Sequence, residues 1–279
     1  MHDSHVVPGS TGTSTRSRRA GAVVAALLLS AAPVVAAAPA HADSLPTVVL
    51  VHGAFANSSS WDGVAAKLRA DGYRVVTPEN PLRGPAYDSA AIERTINGID
   101  GPIVLVGHSY GGTVITNVHD PKVESLVYIS AFAPSQGEVA LAEINPIQYP
   151  GSQLTLALRP KIVDDPQGLA GKNLDAYVDP ASFHDVFAQD VDPAVAADMA
   201  AHQHSLALTA NLEPSGPPSW ASTPSWYLVS AADRVIPPAS QRDMAARMGA
   251  HTSEIDASHA GLVSHPADVA AVVEAAAQG

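Results

Sequence analysis

The residues best suited to chemistry lie in the run Gly107-His108-Ser109-Tyr110-Gly111, where a G-x-S-x-G motif places a serine between glycines. The motif also occurs in ordinary turns, but here the apolar run Ile103 to Val106 predicts a buried strand before it, and a helix is predicted to begin near Gly112. Such a strand-turn-helix strains the serine backbone and lifts its hydroxyl clear of the strand. Side chains at positions 107 and 111 would collide where the helix folds back over the strand. We therefore predict that Ser109 is a nucleophile.

A serine hydroxyl is a poor nucleophile unless a base takes its proton, and an acid must orient that base. After a nucleophile of this kind the acid and then the histidine follow in the chain, each just beyond a strand. Asp233 follows the predicted strand Ser225 to Ser230, and His259 follows the predicted strand Thr252 to Ile255. We predict that Ser109, Asp233 and His259 form a catalytic triad.

Other residues compete for these roles. Asp233 is also the type of residue that caps a turn. Glu254 and Asp256 are alternative acids, but they lie too near His259 in sequence to approach its ring easily from the opposite side. His108, directly before the nucleophile, is expected to pack and form hydrogen bonds.

A developing oxyanion needs two preset backbone N–H groups in a dry site. One is expected from Tyr110, which directly follows the nucleophile at a helix start. The other is expected from the loop after the first strand, at Ala54, with Phe55 as the second choice. Gly53 leaves room for that backbone to approach, and His52 is expected to brace the loop. Together these residues predict acyl transfer from an ester, with water releasing the acyl group.

Strands and helices alternate around these motifs, which predicts an α/β fold with a mostly parallel central sheet flanked by helices. The sequence indicates strands at Thr47–Val51, Tyr73–Thr77, Ile103–Val106, Val123–Ile129, Ser225–Ser230 and Thr252–Ile255. From about 134 to 224 this rhythm breaks, and short helical patterns such as Ala194 to Leu208 stand among Pro, Asp and Gln residues. We expect this segment to be an inserted cap over the carboxyl ends of the strands, where ligands of such sheets bind.

The cap contains apolar residues that either line a modest apolar pocket or pack the cap itself. They are Leu154, Leu156, Leu158, Phe183, Val186, Phe187, Leu206 and Leu208.

The first 42 residues have the pattern of a secretory signal. A polar stretch ending in Arg18-Arg19 precedes the apolar run Ala20 to Ala38, and Ala40-His41-Ala42 provides small residues for cleavage after Ala42. The arginine pair is compatible with the twin-arginine route as well as the Sec route. An uncleaved membrane anchor is the alternative, which the proline inside the apolar run disfavours. We expect residues 43–279 to be a secreted single domain with no stable membrane association after cleavage.

Composition excludes several classes of function. The formal net charge is −12, and no basic patch exists to hold nucleic acid. The chain has no cysteine, which rules out disulfides, a thiolate nucleophile and a zinc–thiolate site. His202 and His204 could suggest a metal, but they are two imidazoles without a carboxylate or third ligand nearby, so we expect no metal. No cofactor is expected, and the expected partner is a small-molecule ester.

The motifs together resemble those of the α/β-hydrolase superfamily, and more narrowly its compact branch of plant methylesterases, hydroxynitrile lyases and small bacterial esterases. The resemblance extends from about Pro46 to the C-terminus. Its most specific parts are His52-Gly53-Ala54, Gly107-His108-Ser109-Tyr110-Gly111-Gly112, Asp233-Arg234-Val235-Ile236-Pro237 and Ser258-His259-Ala260-Gly261-Leu262. It implies an α/β-hydrolase fold and a serine-dependent carboxylic ester hydrolase.

Departures from that branch distinguish the activities. Hydroxynitrile lyases resembling this chain carry a threonine where Gly53 stands and a lysine where Ala260 stands, and the lysine is the cation thought to hold the nitrile. Related dehalogenases and most epoxide hydrolases have an aspartate in place of Ser109. The resemblance therefore favours an esterase, with lyase-like or perhydrolase activity, or a ligand-binding role without catalysis, as alternatives.

Overall fold

The computed structural model describes residues 45–279, in which the strands form two sheets. The strands are β1 (Thr47–Val51), β2 (Val75–Val76), β3 (Ile103–His108), β4 (Val123–Ile129), β5 (Leu158–Leu169), β6 (Lys172–Val178), β7 (Leu206–Ala207), β8 (Ser225–Ser230) and β9 (His251–Ile255). The central sheet has the order β2-β1-β3-β4-β8-β9, and all of its neighbouring strands are parallel. The α/β fold with a parallel central sheet is therefore as predicted.

Helices cover both faces of this sheet. They are α1 (Asp62–Ala70), α2 (Pro85–Asn97), α3 (Tyr110–Thr116), α4 (Leu154–Ala157), α5 (Pro180–Phe187), α6 (Pro193–Ala201), α7 (Pro238–Met248), α8 (Gly261–Ser264) and α9 (Pro266–Gln278). Short 3₁₀ helices occupy Ser58–Trp61, Ala140–Ile144, Ala210–Leu212 and Ser219–Ala221. Helix α3 begins two residues earlier than the sequence suggested.

The two faces of strand β3 show why the central strands are continuous apolar runs. Ile103 and Leu105 pack into the core that also contains residues of α2 and α3. Val104 and Val106 point the other way, into the core beneath α1 and α9. Because successive side chains alternate between faces and both faces are buried, residues 103 to 106 of the strand are all apolar.

The cap segment contains a sheet that the sequence did not predict. Strands β5, β6 and β7 pair antiparallel in that order within the segment between β4 and β8. The helix expected over Ala194 to Leu208 ends at Ala201, and residues 206 and 207 form β7 instead. Most of β5 is exposed and contains Pro160 and Pro166, so it lacks the apolar alternation from which a strand is recognised.

An ion-pair cluster anchors this sheet to the rest of the fold. Arg83, just before α2, places Nη1 2.8 Å from Asp165 Oδ2 in β5 and Nη2 2.6 Å from Asp175 Oδ2 in β6. Both carboxylates are buried and the arginine is mostly buried. Because breaking a buried pair leaves an uncompensated charge, loss of Arg83 is expected to be costly, and its contacts link β5 and β6 to the segment before α2.

The predicted secretory signal, residues 1–42, lies outside the described residues. None of the helices within residues 45–279 combines the length and apolar character needed to cross a membrane.

Candidate active site

Ser109 occupies a strained turn between β3 and α3. Its backbone has φ 53° and ψ −126°, a conformation that non-glycine residues rarely adopt. A Cβ at Gly107 would lie 2.6 Å from the carbonyl oxygen of Gly111, and a Cβ at Gly111 would lie 2.5 Å from that of Val51. Glycines are therefore required where the helix crosses back over the strand ends, as the sequence indicated.

The structure brings the three predicted triad residues together. Asp233 lies in the loop after β8, and His259 lies in the loop between β9 and α8. His259 Nε2 is 2.8 Å from Ser109 Oγ, and His259 Nδ1 is 2.7 Å from Asp233 Oδ2. A carboxylate only accepts hydrogen bonds, so Nδ1 carries the ring proton and Nε2 presents a lone pair to the serine hydroxyl. This arrangement suits proton removal from the serine.

The carboxylate of Asp233 is held by donors that fix its orientation. Its Oδ1 accepts the backbone N–H groups of Val235 at 2.7 Å and Ile236 at 2.9 Å. Its Oδ2 accepts the side-chain amide of Gln241 in α7 at 2.8 Å. Gln241 Oε1 in turn accepts the N–H of Ser230 at the end of β8. Gln241 was not singled out from the sequence, because a glutamine in a helix gives no sign of this partner.

The alternative acids point elsewhere. Glu254 forms an exposed ion pair with Arg242, with 2.6 Å between Oε1 and Nη2. Asp256 is exposed. Of the three acids considered, Asp233 is the one hydrogen-bonded to His259.

Two backbone amides near Ser109 are suited to an oxyanion. Tyr110 is the first residue of α3, so its N–H has no carbonyl of its own helix to bond. The N–H of Phe55 donates to the carbonyl of His204 at 3.1 Å, so of the two donors predicted in that loop Phe55 is already engaged. A Cβ at Gly53 would lie 2.6 Å from Ser109 Cβ, so glycine allows this close approach.

Two histidines support the loops around the site. His52 places Nδ1 2.9 Å from the carbonyl oxygen of Gly53, which braces the loop that contains Ala54. His108 Nε2 donates to the carbonyl oxygen of His259 at 2.8 Å. Burial lowers the pKa of His108 well below 6.5, and the neighbouring His259 lowers it further, so His108 stays neutral. Both side chains therefore hold backbone carbonyl groups, those of Gly53 and His259, in place.

The end of α5 and the residues that follow it contact the loop that contains His259 from the cap side. Asp190 Oδ2 accepts the N–H of Ser258 at 3.0 Å and the hydroxyl of Ser264 at 2.8 Å. The carbonyl of Phe187 accepts the N–H of Ala260 at 3.1 Å, and its ring packs edge-on against His259 with 4.7 Å between centroids. The cap thus contacts the residues on both sides of His259 along the chain.

The eight apolar cap residues divide by location. Leu154, Phe183, Val186, Phe187 and Leu206 are buried in the main core, whereas Leu156 is exposed. A cleft of about 530 Å³ begins instead at Phe55, beside Ala54, and is bounded by Val195 and Met199 of α6 and by Val263 of α8. Packing of the cap therefore accounts for the buried members of the set.

The structure corrects the argument made against a metal near His204. His204 Nδ1 lies 3.8 Å from Glu79 Oε2, and that oxygen lies 3.2 Å from His52 Nε2. A carboxylate and a third possible ligand are therefore nearby in space although they are distant in sequence. His202 takes no part and instead lies 3.2 Å from Asp198 Oδ1.

Comparison with known proteins identifies the family to which the chain belongs. A profile of the alpha/beta hydrolase family matches residues 48–272, so the chain belongs to that family. The carbendazim-hydrolysing esterase of Nocardioides sp. (strain SG-4G) is 39% identical over 109 residues, which cover 34% of this chain and 45% of the esterase. The pyrethroid hydrolase of Sphingobium wenxiniae is 31% identical over 104 residues, which cover 32% of this chain and 37% of that protein. Each match therefore spans less than half of the relative's length.

Solved structures share the fold over most of their length. The pyrethroid hydrolase of Sphingobium faniae JZ-2 superposes with a TM-score of 0.69 at 23% identity, covering 84% of this chain and 98% of its own. Polyneuridine aldehyde esterase superposes with a TM-score of 0.70 at 18% identity, covering 82% and 98%. At sequence identities this low, the similarity shows a shared fold.

Proposed function

We propose that this protein is a secreted serine hydrolase that cleaves small, apolar carboxylic esters through an acyl-enzyme. The observation that carries the proposal is the chain of hydrogen bonds from Ser109 Oγ through His259 to Asp233. All three side chains are nearly or fully buried, and this low-dielectric setting strengthens their interactions. The Ala54 and Tyr110 amides provide the remaining part of the machinery.

Acylation uses each group once. Ser109 Oγ attacks the ester carbonyl carbon while His259 Nε2 takes the hydroxyl proton. The carbonyl oxygen becomes an oxyanion that accepts hydrogen bonds from the N–H groups of Ala54 and Tyr110. Asp233 stabilises the imidazolium and holds the ring in place. Collapse of the intermediate breaks the bond to the alcohol oxygen, which leaves with the proton from His259.

Deacylation repeats these steps with water. His259 Nε2 takes a proton from the water as its oxygen attacks the acyl carbon, and the same two amides hold the second oxyanion. Collapse breaks the bond to Ser109 Oγ, which regains the proton from His259. The carboxylic acid is released and the enzyme returns to its starting state.

Two observations support an apolar ester as substrate. The cleft beside the oxyanion loop is lined by the apolar residues Phe55, Val195, Met199 and Val263 together with polar residues such as Asn57, Asp198 and His202, and its volume of about 530 Å³ is that of a small-ligand site. Relatives over part of the chain include an esterase that hydrolyses carbendazim and a pyrethroid hydrolase. Both names refer to hydrolysis of small organic molecules.

Export is part of the proposal. Cleavage after Ala42 leaves β1, which begins at Thr47, complete. N-terminal sequencing of the protein recovered from culture medium is expected to begin at Asp43. Protein retained in the membrane with residues 1–42 attached would contradict secretion and support the anchor alternative.

The activity is tested with a p-nitrophenyl ester series of short to medium acyl chains. Parent protein is compared with Ser109→Ala and with Ser253→Ala, a matched control because Ser253 is an exposed serine of β9. We expect hydrolysis in the parent and the control and its loss in Ser109→Ala.

Cyanohydrin cleavage and peracid formation are measured in parallel. Serine-dependent lyase or perhydrolase turnover without ester hydrolysis would overturn the esterase proposal, as would ligand binding with no turnover.

A further inference from the structure

We propose that His52, Glu79 and His204 form a binding site for one divalent transition-metal ion such as Zn²⁺. Each residue offers one ligand atom, and the three atoms lie within 4.8 Å of one another. They come from three separate segments: the position directly after β1, the loop between β2 and α2, and the loop between α6 and β7. Two imidazoles and a carboxylate are a ligand set that zinc accepts, with the fourth position open to water.

The geometry requires only a small adjustment. Two ligands of one tetrahedral zinc ion with bonds of about 2.1 Å are separated by roughly 3.4 Å. His52 Nε2 and Glu79 Oε2 are already 3.2 Å apart, and His204 Nδ1 is 3.8 Å from the same oxygen. The side chain of His204 is 51% exposed, so it has the freedom to turn toward an ion.

His52 is prepared as a ligand by its own hydrogen bond. Its Nδ1 lies 2.9 Å from the Gly53 carbonyl oxygen, which only accepts, so the ring proton is on Nδ1 and the lone pair is on Nε2. Metal-binding histidines commonly donate their second ring N–H to a carbonyl in this way. The Ser58 hydroxyl donates to Glu79 Oε1, which leaves Oε2 to face the imidazoles.

No hydrogen atom lies between Nε2 of His52 and the Glu79 carboxylate to make their contact a hydrogen bond. The N–H of Asn80 already donates to His52 Nε2 at 2.9 Å, so the lone pair of Nε2 and the negative oxygen of Glu79 face each other. A cation bonded to both atoms removes this repulsion. Loading the site costs the Asn80 hydrogen bond, and for that reason we expect weaker binding than at a dedicated structural zinc site.

The surroundings favour entry of a cation. A polar cavity of about 400 Å³ opens beside His204 and Asn80. Its lining contains three carboxylates, those of Asp164, Asp165 and Asp175, against the guanidinium of Arg83, and the ammonium of Lys172 pairs with Asp164. The resulting negative potential raises the local concentration of cations.

An ion here would act on the loop that contains Ala54. His52 holds the Gly53 carbonyl from one side, and the His204 carbonyl accepts the Phe55 N–H on the other. Binding therefore links both supports of this loop. Since the ion binds the folded chain, occupancy raises the unfolding temperature.

The test is calorimetric titration with ZnCl₂ of the protein purified without a polyhistidine tag and stripped with EDTA. We expect one Zn²⁺ per chain and a higher Tm on loading. His204→Ala and Glu79→Gln, both changes of exposed side chains, are each expected to weaken binding by at least about tenfold. His202→Ala is the matched control, because His202 is an exposed histidine two residues away.

A second readout identifies the ligands. Co²⁺ loading is expected to give a visible d–d absorption band that is lost in His204→Ala and retained in His202→Ala. The proposal is overturned if the parent shows no saturable Zn²⁺ binding, or if His204→Ala binds Zn²⁺ as the parent does. It is also overturned if only His202→Ala loses the ion, which would place the ion at the His202–Asp198 pair.

Discussion

The Nδ1 atom of His259 lies 2.7 Å from Oδ2 of Asp233, and both side chains are fully buried. This contact determines which ring nitrogen carries the proton and therefore which one faces Ser109. The aspartate is itself fixed by backbone amides and by Gln241. The proposed catalytic chemistry thus depends on a series of contacts that extends from the nucleophile into α7.

Replacing the acid tests its role in holding the ring. Asp233→Asn is expected to lower kcat by up to roughly 10⁴-fold, because the amide favours the wrong tautomer of His259. Steady-state kinetics on a p-nitrophenyl ester measure the change. Asp256→Asn is the matched control, since this exposed acid of the adjacent loop is expected to leave kcat near that of the parent. Near-normal kcat in Asp233→Asn would identify another acid.

Gln241 is expected to act as a positioning residue for Asp233. A hydrogen bond to a charged group contributes roughly 1.5–3 kcal/mol, so Gln241→Met is expected to lower kcat about 10- to 100-fold. KM is expected to change little, because the cleft residues are untouched. Gln167→Met, on the exposed hairpin of the cap, is the control. A kcat within twofold of the parent would show that the backbone amides alone hold Asp233.

The contacts of the cap with the loop that contains His259 predict a functional effect of Asp190. Asp190→Asn weakens the contacts to Ser258 and Ser264, so the loop that carries His259 loses part of its support. We expect kcat to fall several-fold with little change in KM. Asp185→Asn, an exposed acid of α5, is the comparison. Equal kinetics in the two variants would mean that Asp190 does not position the histidine.

Glu143 predicts a loss of stability as the pH rises from mildly acidic to about 8. Its pKa is raised from 4.5 to about 8, chiefly by burial and also by the neighbouring Glu138 carboxylate, while the Arg247 guanidinium 2.8 Å away opposes the shift. The folded chain therefore keeps a proton that the unfolded chain releases, and stability falls as pH rises from 4.5 to about 8.

Glu143→Gln cannot ionise and is expected to remove that loss. Its Tm relative to the parent is expected to rise by several degrees between about pH 5 and pH 9, since one pKa unit corresponds to about 1.4 kcal/mol. Thermal unfolding followed by circular dichroism measures this difference. Glu254→Gln, an exposed carboxylate, is expected to show a constant offset across the same range. A constant offset in Glu143→Gln as well would contradict the raised pKa.

The central sheet was predictable because its strands are buried on both faces, as Val104 and Leu105 illustrate, and so read as unbroken apolar runs. Ser109, Asp233 and His259 were predictable as neighbours because each follows a strand, and the carboxyl ends of parallel strands meet at one edge. Their contacts match that expectation, while their catalytic role remains a proposal.

The cap and the supporting residues were not predictable for physical reasons. Strand β5 is held by backbone pairing with β6, and most of its residues are exposed. Its sequence therefore lacks the alternation of apolar and polar residues by which a strand is predicted. Gln241 and Asp190 act through single hydrogen bonds that exist only after the chain has folded. Likewise, His52, Glu79 and His204 are far apart in sequence, and tertiary structure alone brings them together.

The central claim is that Ser109 forms a covalent acyl-enzyme, and active-site labelling tests it most directly. The protein is treated with a fluorophosphonate, and intact mass and peptide mapping locate the adduct. We expect one adduct per chain on Ser109, no adduct in Ser109→Ala, and much slower labelling in Asp233→Asn. An adduct on another serine, or ester turnover that persists in Ser109→Ala, would contradict the account.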